Sequence, residues 1–466
     1  MQNQASELKM EAVSRNPSNG ELIKTYPFQS PEQVEKVLAD NAVAARIWRS
    51  TSMEERVACY RRLAATFRRQ SESLALLATS EMGKTLKASL GEVEKCASAV
   101  EWFAEHGPAI LADEPAPVEG PDQVYVSFLP IGTVLGVMPW NFPFWQAMRA
   151  AGPIMLSGNG FILKHAPNVI GCAYALQEAY EASGFPKNLF INMVADNETV
   201  ARAIEDPRVA AVTVTGSLRA GSAVASIAGR AAKRSLLELG GADPFIVLAD
   251  ANLDKAVEVG IEARFQNCGQ VCLAAKRFIL EKPIADEFIQ KYVSAASKIK
   301  AGDPLDAATT IGPIARGDLR DGVHDQVVRS IAGGAKLLLG GNKIDGPGYF
   351  YQPTVLGGVE PGMAAFDEEV FGPVAAITVA ENLDDAVRLA NTSEFGLSGN
   401  LWTNDLTKAR EIARRLETGG VFINGYTASN PRIPVGGVKK SGYGRELSHF
   451  GLREFVNAQG VWVKKV

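Results

Sequence analysis

The sequence predicts an α/β protein with more than one parallel sheet, and two observations carry that class. From about residue 124 onward, short apolar runs of strand character alternate with segments of helical spacing. Strands separated by helices imply βαβ units, because a parallel neighbour is reached only through a long crossover. The chain has 466 residues, roughly two to three times the usual domain size, so at least two domains and a substantial core are expected. Its 44 glycines fit many tight turns and close backbone approaches.

The elements follow in order. Residues 31–118 read as helical, and Ser30-Pro31-Glu32 is a helix start with Ser as cap and Pro in the first turn. Apolar residues recur at helical spacing from Ser52 to Leu77, and the Arg pairs at 61/62 and 68/69 read as a solvated face. Val124–Pro130 alternates like a strand. Thr133–Met138 is an apolar run that ends at Pro139-Trp140-Asn141-Phe142-Pro143. Next come a helix over 147–156, a strand over 160–164, a helix over 168–183, and a strand over 209–214. The turn Thr215-Gly216-Ser217 then leads into a helix to about 232. A second α/β region starts near Leu236, with strands at 244–248 and 277–280 and helices at 253–265 and 284–299. Further apolar runs lie at 336–339, 374–379 and 420–424, with helices near 383–390 and 405–416. Val456–Val463 has a strand pattern without a sequential partner; it pairs either with the 124–130 strand or across a subunit boundary.

Charge and cysteine content narrow the function classes. The net charge is -4, from 48 basic and 52 acidic residues, which gives no general attraction to nucleic acid or to an anionic membrane. The five cysteines are odd in number and Cys59, Cys96 and Cys172 fall in helical segments, so a reducing compartment is expected rather than a disulfide framework. The four histidines form no cluster of zinc-binding spacing with cysteine, and no metal is expected. The first twenty residues are polar and lack the apolar core of a signal peptide. No apolar run approaches the ~20 residues that span a bilayer, and a cytoplasmic location is expected.

Four segments point to chemistry. In Phe265-Gln-Asn-Cys268-Gly-Gln270-Val-Cys272 a helix ends, Gly269 breaks it, and Cys272 follows just before a strand. Backbone dipoles at such a turn lower a thiol pKa from ~8.5 and favour the reactive thiolate. In Leu237-Glu238-Leu239-Gly240-Gly241 a carboxylate lies between apolar residues ahead of a sharp turn. It is either paired with Lys or Arg, or desolvated, with the raised pKa that suits a general base. Asn141, between aromatic residues and prolines, offers either a turn cap or a rigid amide donor. Val214-Thr215-Gly216-Ser217 joins a strand to a helix and aims backbone N–H groups and a positive helix end at a phosphate, although it is not G-x-G-x-x-G.

These segments stand in the order and at about the separations seen in the aldehyde dehydrogenase superfamily, which the chain resembles over essentially its whole length. The LELGG and F-x-N-x-G-Q-x-C signatures are intact. PWNFP, the TGS turn, Glu368-Glu369-Val-Phe371-Gly-Pro373 and the Gly436–Glu446 run are similar to further family motifs. Residues 163–169 and 436–451 resemble bacterial succinate-semialdehyde dehydrogenases most. The resemblance implies an aldehyde dehydrogenase-like fold: two Rossmann-related parallel-sheet domains plus a small β oligomerisation element. Residues 1–118 and 132–235 would bind NAD or NADP, 236–430 would carry the nucleophile, and 119–131 with 446–466 would join subunits into a homodimer or homotetramer.

It also implies roles. Cys272 matches the nucleophile, which forms a thiohemiacetal and then a thioester; Glu238 matches the base that activates water; Asn141 matches the oxyanion donor. Trp140, Lys164, His165, Gly216, Ser217, Glu369 and Phe371 match cofactor-binding positions. Many NAD-preferring relatives have Glu three residues after the lysine, where Pro167 stands here; a carboxylate there would bind the ribose 2′-hydroxyl and repel a 2′-phosphate. Without it, Lys164 or His165 is free to meet that phosphate. For a carboxylate-bearing aldehyde, Arg149 stands at the place of a substrate-binding arginine, unless it forms an ion pair with a nearby acid. A second such arginine is replaced by Gln266, and Arg432 is the residue expected to compensate.

The implied activity is NAD(P)-dependent oxidation of succinate semialdehyde to succinate. Other semialdehydes or a broader aliphatic range stand as alternatives. A CoA-acylating enzyme and a non-catalytic structural or binding relative are disfavoured by the presence of Glu238 and Cys272. Cys268 reads as a small packed residue, with disulfide formation or capture of a sulfenic acid as the other role. The absence of an acid at 167 predicts that NADP is accepted. Steady-state kinetics with both cofactors checks this; a preference for NAD of at least ~1,000-fold, on the order of 4 kcal/mol, would sink it.

Overall fold

Caps written into the sequence set where the N-terminal helices begin. In the computed structural model, which describes residues 11–119 and 122–465, the Ser30 hydroxyl accepts from the Gln33 N–H while the Gln33 side chain accepts from the Ser30 N–H. Ser52 and Glu55 repeat this capping box. The helices are α1 (Pro31–Ser50), α2 (Met53–Arg69), α3 (Ser71–Met82) and α4 (Leu86–Ile110). The Arg pairs at 61/62 and 68/69 are exposed on α2, as the helical spacing requires. An antiparallel hairpin of β1 (Glu11–Arg15) and β2 (Leu22–Pro27) precedes them. The first ten residues of the polar N-terminal segment, and 120–121 of the expected 119–131 strand segment, lie outside the described residues.

After β3 (Glu114–Pro115) and β4 (Gln123–Pro130) comes an alternation of β5 (Thr133–Met138), α5 (Trp145–Leu156), β6 (Gly160–His165), α6 (Ile170–Ala182), β7 (Phe190–Asn192), α7 (Asn197–Glu205), β8 (Val209–Thr215), α8 (Leu218–Arg230) and β9 (Arg234–Glu238). The parallel strands lie in the order β7-β6-β5-β8-β9, so the chain reverses direction between β5 and β8. A doubly wound sheet opens a crevice beyond the strand ends at such a reversal. Two of the four chemical segments, PWNFP after β5 and TGS after β8, emerge at that point.

The second sheet is built on β10 (Pro244–Val247), α9 (Leu253–Phe265) and β11 (Arg277–Glu281). Strands 336–339, 354–357, 374–380, β11, β10, 399–402 and 421–423 neighbour one another in that order, all parallel except the first pair. Each sheet has its own apolar core, one around Trp48, Tyr60, Phe103 and Phe161, the other around Phe245, Phe278, Tyr292 and Trp402. The C-terminal strand 456–463 lies antiparallel on β4 in register from Val456–Pro130 to Val463–Gln123, so its partner is within the chain. Residues 442–443 pair with β9 and tie the C-terminal segment to the first sheet.

One buried ion pair positions the PWNFP loop. Lys84 and Glu92 meet with both side chains fully enclosed. Glu92 Oε1 accepts from the N–H groups of Phe144 and Trp145, each at 2.8 Å, and so caps α5. Lys84 Nζ sits 3.9 Å from the centre of the Phe142 ring. Removing one partner of a buried pair strands the other charge. Lys84→Met is therefore expected to destabilise by ~3–5 kcal/mol, and Lys84→Met/Glu92→Gln by less, because a neutral amide oxygen still accepts both N–H groups. Thermal unfolding midpoints check the order; a double variant no more stable than the single one would count against it.

Candidate active site

Loops from both sheets meet over one cavity of about 240 Å³. The first sheet contributes Trp140 and Asn141 after β5, Gly216 and Ser217 after β8, and Glu238 and Gly240 at the end of β9. The second contributes Cys272, Glu369 and Phe371. A larger hollow of about 600 Å³ opens between the β1–β2 turn and residues 301–305 and 344–350. It holds none of the four chemical segments, and its lining has acids Asp303 and Asp345 but no basic side chain.

The nucleophile loop is strained and bolted in place. Helix α9 ends at Phe265, and Asn267, Cys268 and Gly269 follow with φ of 50°, 56° and 71°. That left-handed region is costly for the first two and requires glycine at the third, where a Cβ would collide with the carbonyl of Gly372. The Asn267 amide donates to the Asn141 carbonyl at 2.8 Å, and the Asn141 amide donates back to the Gln270 carbonyl at 3.0 Å. Buried Gln270 accepts from the Ala315 N–H at 2.9 Å and donates to the Asn267 carbonyl at 3.1 Å. Arg264, fully buried, donates to the carbonyls of Val370 and Gly372. Lys276 donates to the Cys272 carbonyl at 2.6 Å and pairs with Glu369 at 3.2 Å.

Charge in the cavity departs from one expectation and meets another. Burial pushes the Cys272 thiol up to about 11; Arg149 and Lys276 act against this, and Glu238 and Glu369 with it. The expected lowering by backbone dipoles is therefore corrected. Helix α9 runs into this loop with its carbonyl end, the negative end of its dipole. Burial also raises the Glu238 carboxyl, as its apolar neighbours suggested, and Glu446 adds to the shift while Arg149 opposes it. Glu238 Oε1 has no hydrogen-bond partner.

Arg149 takes the ion-pair alternative. Its guanidinium is fully buried, contacts Glu446, and lies 3.5 Å from Glu238 Oε2. Two acids balance its charge, which corrects the expectation that it is free to bind a substrate carboxylate. Gln266 is half-buried and Arg432 is exposed, and neither lines the cavity. Cys268 is a packed residue of the second core, its thiol pushed up to about 12 by burial.

The cofactor positions fit a dinucleotide with one exception. Trp140 and Phe371 meet edge to face at 5.7 Å and both line the cavity. Ser217 caps α8, whose N-terminus faces the same cavity. Gly240 leaves room for Glu369, which a Cβ would strike. Lys164, at the end of β6, forms no ion pair among the described residues, and desolvation lowers its pKa. His165 is the exception. It is buried, its ring nitrogens lie 3.3 Å from the Met138 carbonyl and 2.8 Å from the Pro143 carbonyl, and burial lowers it to about 4. A neutral, enclosed imidazole cannot meet a 2′-phosphate, which corrects the expectation for His165.

Four residues escaped the sequence reading: Lys276, Glu446, Gln270 and Glu92. Lys276, Glu446 and Gln270 sit beside or within a recognised motif and Glu92 lies on α4, but the role of each is to hold another group, and no local pattern marks that. Because the Cys272 thiol is raised, its alkylation by iodoacetamide is expected to accelerate as pH rises toward about 11. Glu238→Gln removes a negative neighbour and should move that profile to lower pH. Mass-spectrometric rates across pH check both; a plateau already at pH 7 would contradict the first.

The sequence matches the Aldehyde dehydrogenase family over residues 4–461. It is 51% identical over 455 residues, covering 98% of both chains, to the NAD(P)+ succinate semialdehyde dehydrogenase Sad of Escherichia coli (strain K12). It is 44% identical over 457 residues, 97% of both chains, to the NADP(+) succinate-semialdehyde dehydrogenase of Mycobacterium avium (strain 104). The structure superposes with a TM-score of 0.95 on succinic semialdehyde dehydrogenase from Streptococcus pyogenes in complex with NADP+, at 34% identity over 97% of this chain and 100% of that one. Among the described residues no helix is long and apolar enough to cross a membrane, and no group of three or more His, Cys, Asp or Glu is placed to hold a metal ion.

Proposed function

This chain belongs to the aldehyde dehydrogenase family and is an NAD(P)-dependent aldehyde dehydrogenase, and we propose that Cys272, Glu238 and Asn141 carry its chemistry on succinate semialdehyde. The carrying observation is the meeting of the Cys272 thiol, the raised Glu238 carboxyl and the cofactor-binding positions around one cavity.

Each residue has a definite task. A thiol raised by burial must lose its proton before it attacks, and Glu238, which faces the same cavity with a free Oε1, is the acceptor at hand. Attack on the carbonyl carbon gives a thiohemiacetal. The Asn141 amide spends one N–H on Gln270, which fixes its plane, and keeps the second for the oxyanion. The Cys272 N–H is the other donor, and losing either costs ~3–4 kcal/mol of transition-state stabilisation. The nicotinamide, when bound, supplies the hydride acceptor that turns this adduct into a thioester. Lys164, Gly216, Ser217, Glu369, Phe371 and Trp140 would hold the dinucleotide that carries it. Glu238 gives up the first proton to solvent and then takes one from water as the water oxygen attacks the thioester carbon; the C–S bond breaks, the acid leaves and the sulfur recovers a proton, a task to which a carboxyl raised by burial is matched near neutral pH. Retention of this base favours hydrolysis over transfer to CoA.

The full-length likeness to the two relatives supports succinate semialdehyde; other semialdehydes and simple aliphatic aldehydes form the second reading. Residues 1–118 and 132–235 serve the cofactor and 236–430 the nucleophile. The sheet of β4 and 456–463, on which Trp462 is 60% exposed, serves assembly of a homodimer or homotetramer. Five unpaired cysteines suit a reducing cytoplasm.

Two measurements test this. In Glu238→Gln, steady-state turnover should fall by ~10²-fold or more and the first-turnover burst of NAD(P)H should slow with it; a burst of unchanged rate would confine the role of Glu238 to hydrolysis of the thioester. Across succinate semialdehyde, glutarate semialdehyde and butanal, kcat/KM should be highest for the first, and equality with butanal would overturn the substrate assignment.

A further inference from the structure

Two buried cations bracket the loop that carries Cys272, and both reach the segment that carries Glu369 and Phe371. Arg264, on α9 before the loop, donates to the carbonyls of Gly269 at 3.5 Å and Val370 at 3.0 Å, and to that of Gly372. Lys276, four residues after Cys272, donates to the Val271 carbonyl at 3.0 Å and to the Cys272 carbonyl at 2.6 Å. Its side chain is 2% exposed. An ammonium has three N–H groups, so one remains beyond those two carbonyls. Glu369 Oε1 lies 3.2 Å from the same nitrogen.

That contact sorts the two oxygens of Glu369. Oε1 meets the ammonium and accepts from the Gly241 N–H at 3.1 Å. Oε2 lies over Gly240, where a Cβ would come within 2.2 Å of it. Among the described residues Oε2 accepts from no donor. Glu369 and Gly240 both line the cavity that holds Cys272. One carboxylate oxygen is thus fixed by the protein, and the other is left for a hydroxyl of a bound ligand.

The same ammonium acts on the nucleophile. Against burial, the Cys272 thiol is lowered first by Arg149 and next by Lys276, while Glu238 and Glu369 raise it. Asp243, fully buried, is a further acid whose carboxyl feels the charge of Lys276. Lys276 therefore stands where the backbone of the thiol, the charge on the thiol and the orientation of Glu369 are set together.

We propose that Lys276 is a positioning residue that joins the nucleophile loop to the cofactor carboxylate: it turns Glu369 so that Oε2 meets a hydroxyl of the dinucleotide, and it holds the Cys272 carbonyl in the same contact. This rests on the reading that Glu369 holds the dinucleotide. The test uses Lys276→Met, Lys276→Gln, Glu369→Gln and Lys276→Gln/Glu369→Gln. One readout is the NADP+ dissociation constant, from quenching of tryptophan fluorescence. The other is the rate of Cys272 alkylation by iodoacetamide across pH, without cofactor. Gln at 276 keeps N–H groups for the loop carbonyls but carries no charge, so it reads the contact even where the Met variant does not fold. Each single change at Lys276 should weaken NADP+ binding by ~10-fold and move the alkylation profile to higher pH, because a cation beside the thiol is lost. In the Glu369→Gln background, Lys276→Gln should change the dissociation constant by less than ~2-fold and still move the alkylation profile. If Lys276→Gln leaves NADP+ binding unchanged, or weakens it by the same factor in both backgrounds, Lys276 does not act through Glu369 and the proposal is overturned. An alkylation profile that stays in place would overturn the link to the nucleophile. If Glu369→Gln binds NADP+ as tightly as the wild type, the cofactor role of Glu369 falls and takes the proposal with it.

Discussion

The exchange of hydrogen bonds between Asn141 and the 267–270 turn is the constraint on which the site depends. Asn141 belongs to a loop of the first sheet and Asn267 and Gln270 to a loop of the second, and each loop supplies an acceptor for the other's amide. Neither loop can shift without breaking buried hydrogen bonds, which are costly to leave unmade. Asn141 and Cys272, the proposed oxyanion donor and nucleophile, are thus held in a common frame, although they stand 131 positions apart in sequence. The left-handed backbone at Asn267 and Cys268 is the conformational cost of this arrangement, sustained by Gln270 and Arg264 beneath it.

Burial of charge is the second organising theme. Lys84–Glu92, Arg149 with Glu238 and Glu446, and Lys276–Glu369 are all enclosed or nearly so. Buried pairs contribute little net stability against apolar replacements, and their use here is positional. Glu92 sets the start of α5, Arg149 holds the base, and Lys276 links the Cys272 carbonyl to Glu369. The same desolvation raises both the Cys272 thiol and the Glu238 carboxyl, so each is harder to ionise than in water.

Much of the fold was legible because local pattern and tertiary role agree. The strands at 133–138, 209–215 and 277–281 are apolar runs bounded by turns, and the caps at Ser30 and Ser52 stand where the helices begin. The segments that escaped are those whose identity comes from neighbours. Strands 354–357 and 399–402 are short and buried throughout, so no alternation marks them. Helix 317–332 is polar over most of its length, and the β1–β2 hairpin sits in a stretch that reads only as hydrophilic.

The sequence by itself determined which segments invite a chemical reading: Cys272, Glu238 and Asn141 lie in stretches whose turns, glycines and apolar flanks are local and readable. It also determined that no acid stands at position 167 to repel a 2′-phosphate. Only the tertiary structure decided how charge is shared among them. His165 and Arg149 were plausible ligands as isolated residues, and they became a neutral core imidazole and a charge-balanced guanidinium once Met138, Pro143, Glu238 and Glu446 closed around them. The thiol likewise went up rather than down, because desolvation depends on everything packed around a group, and residues distant in sequence supply most of that packing.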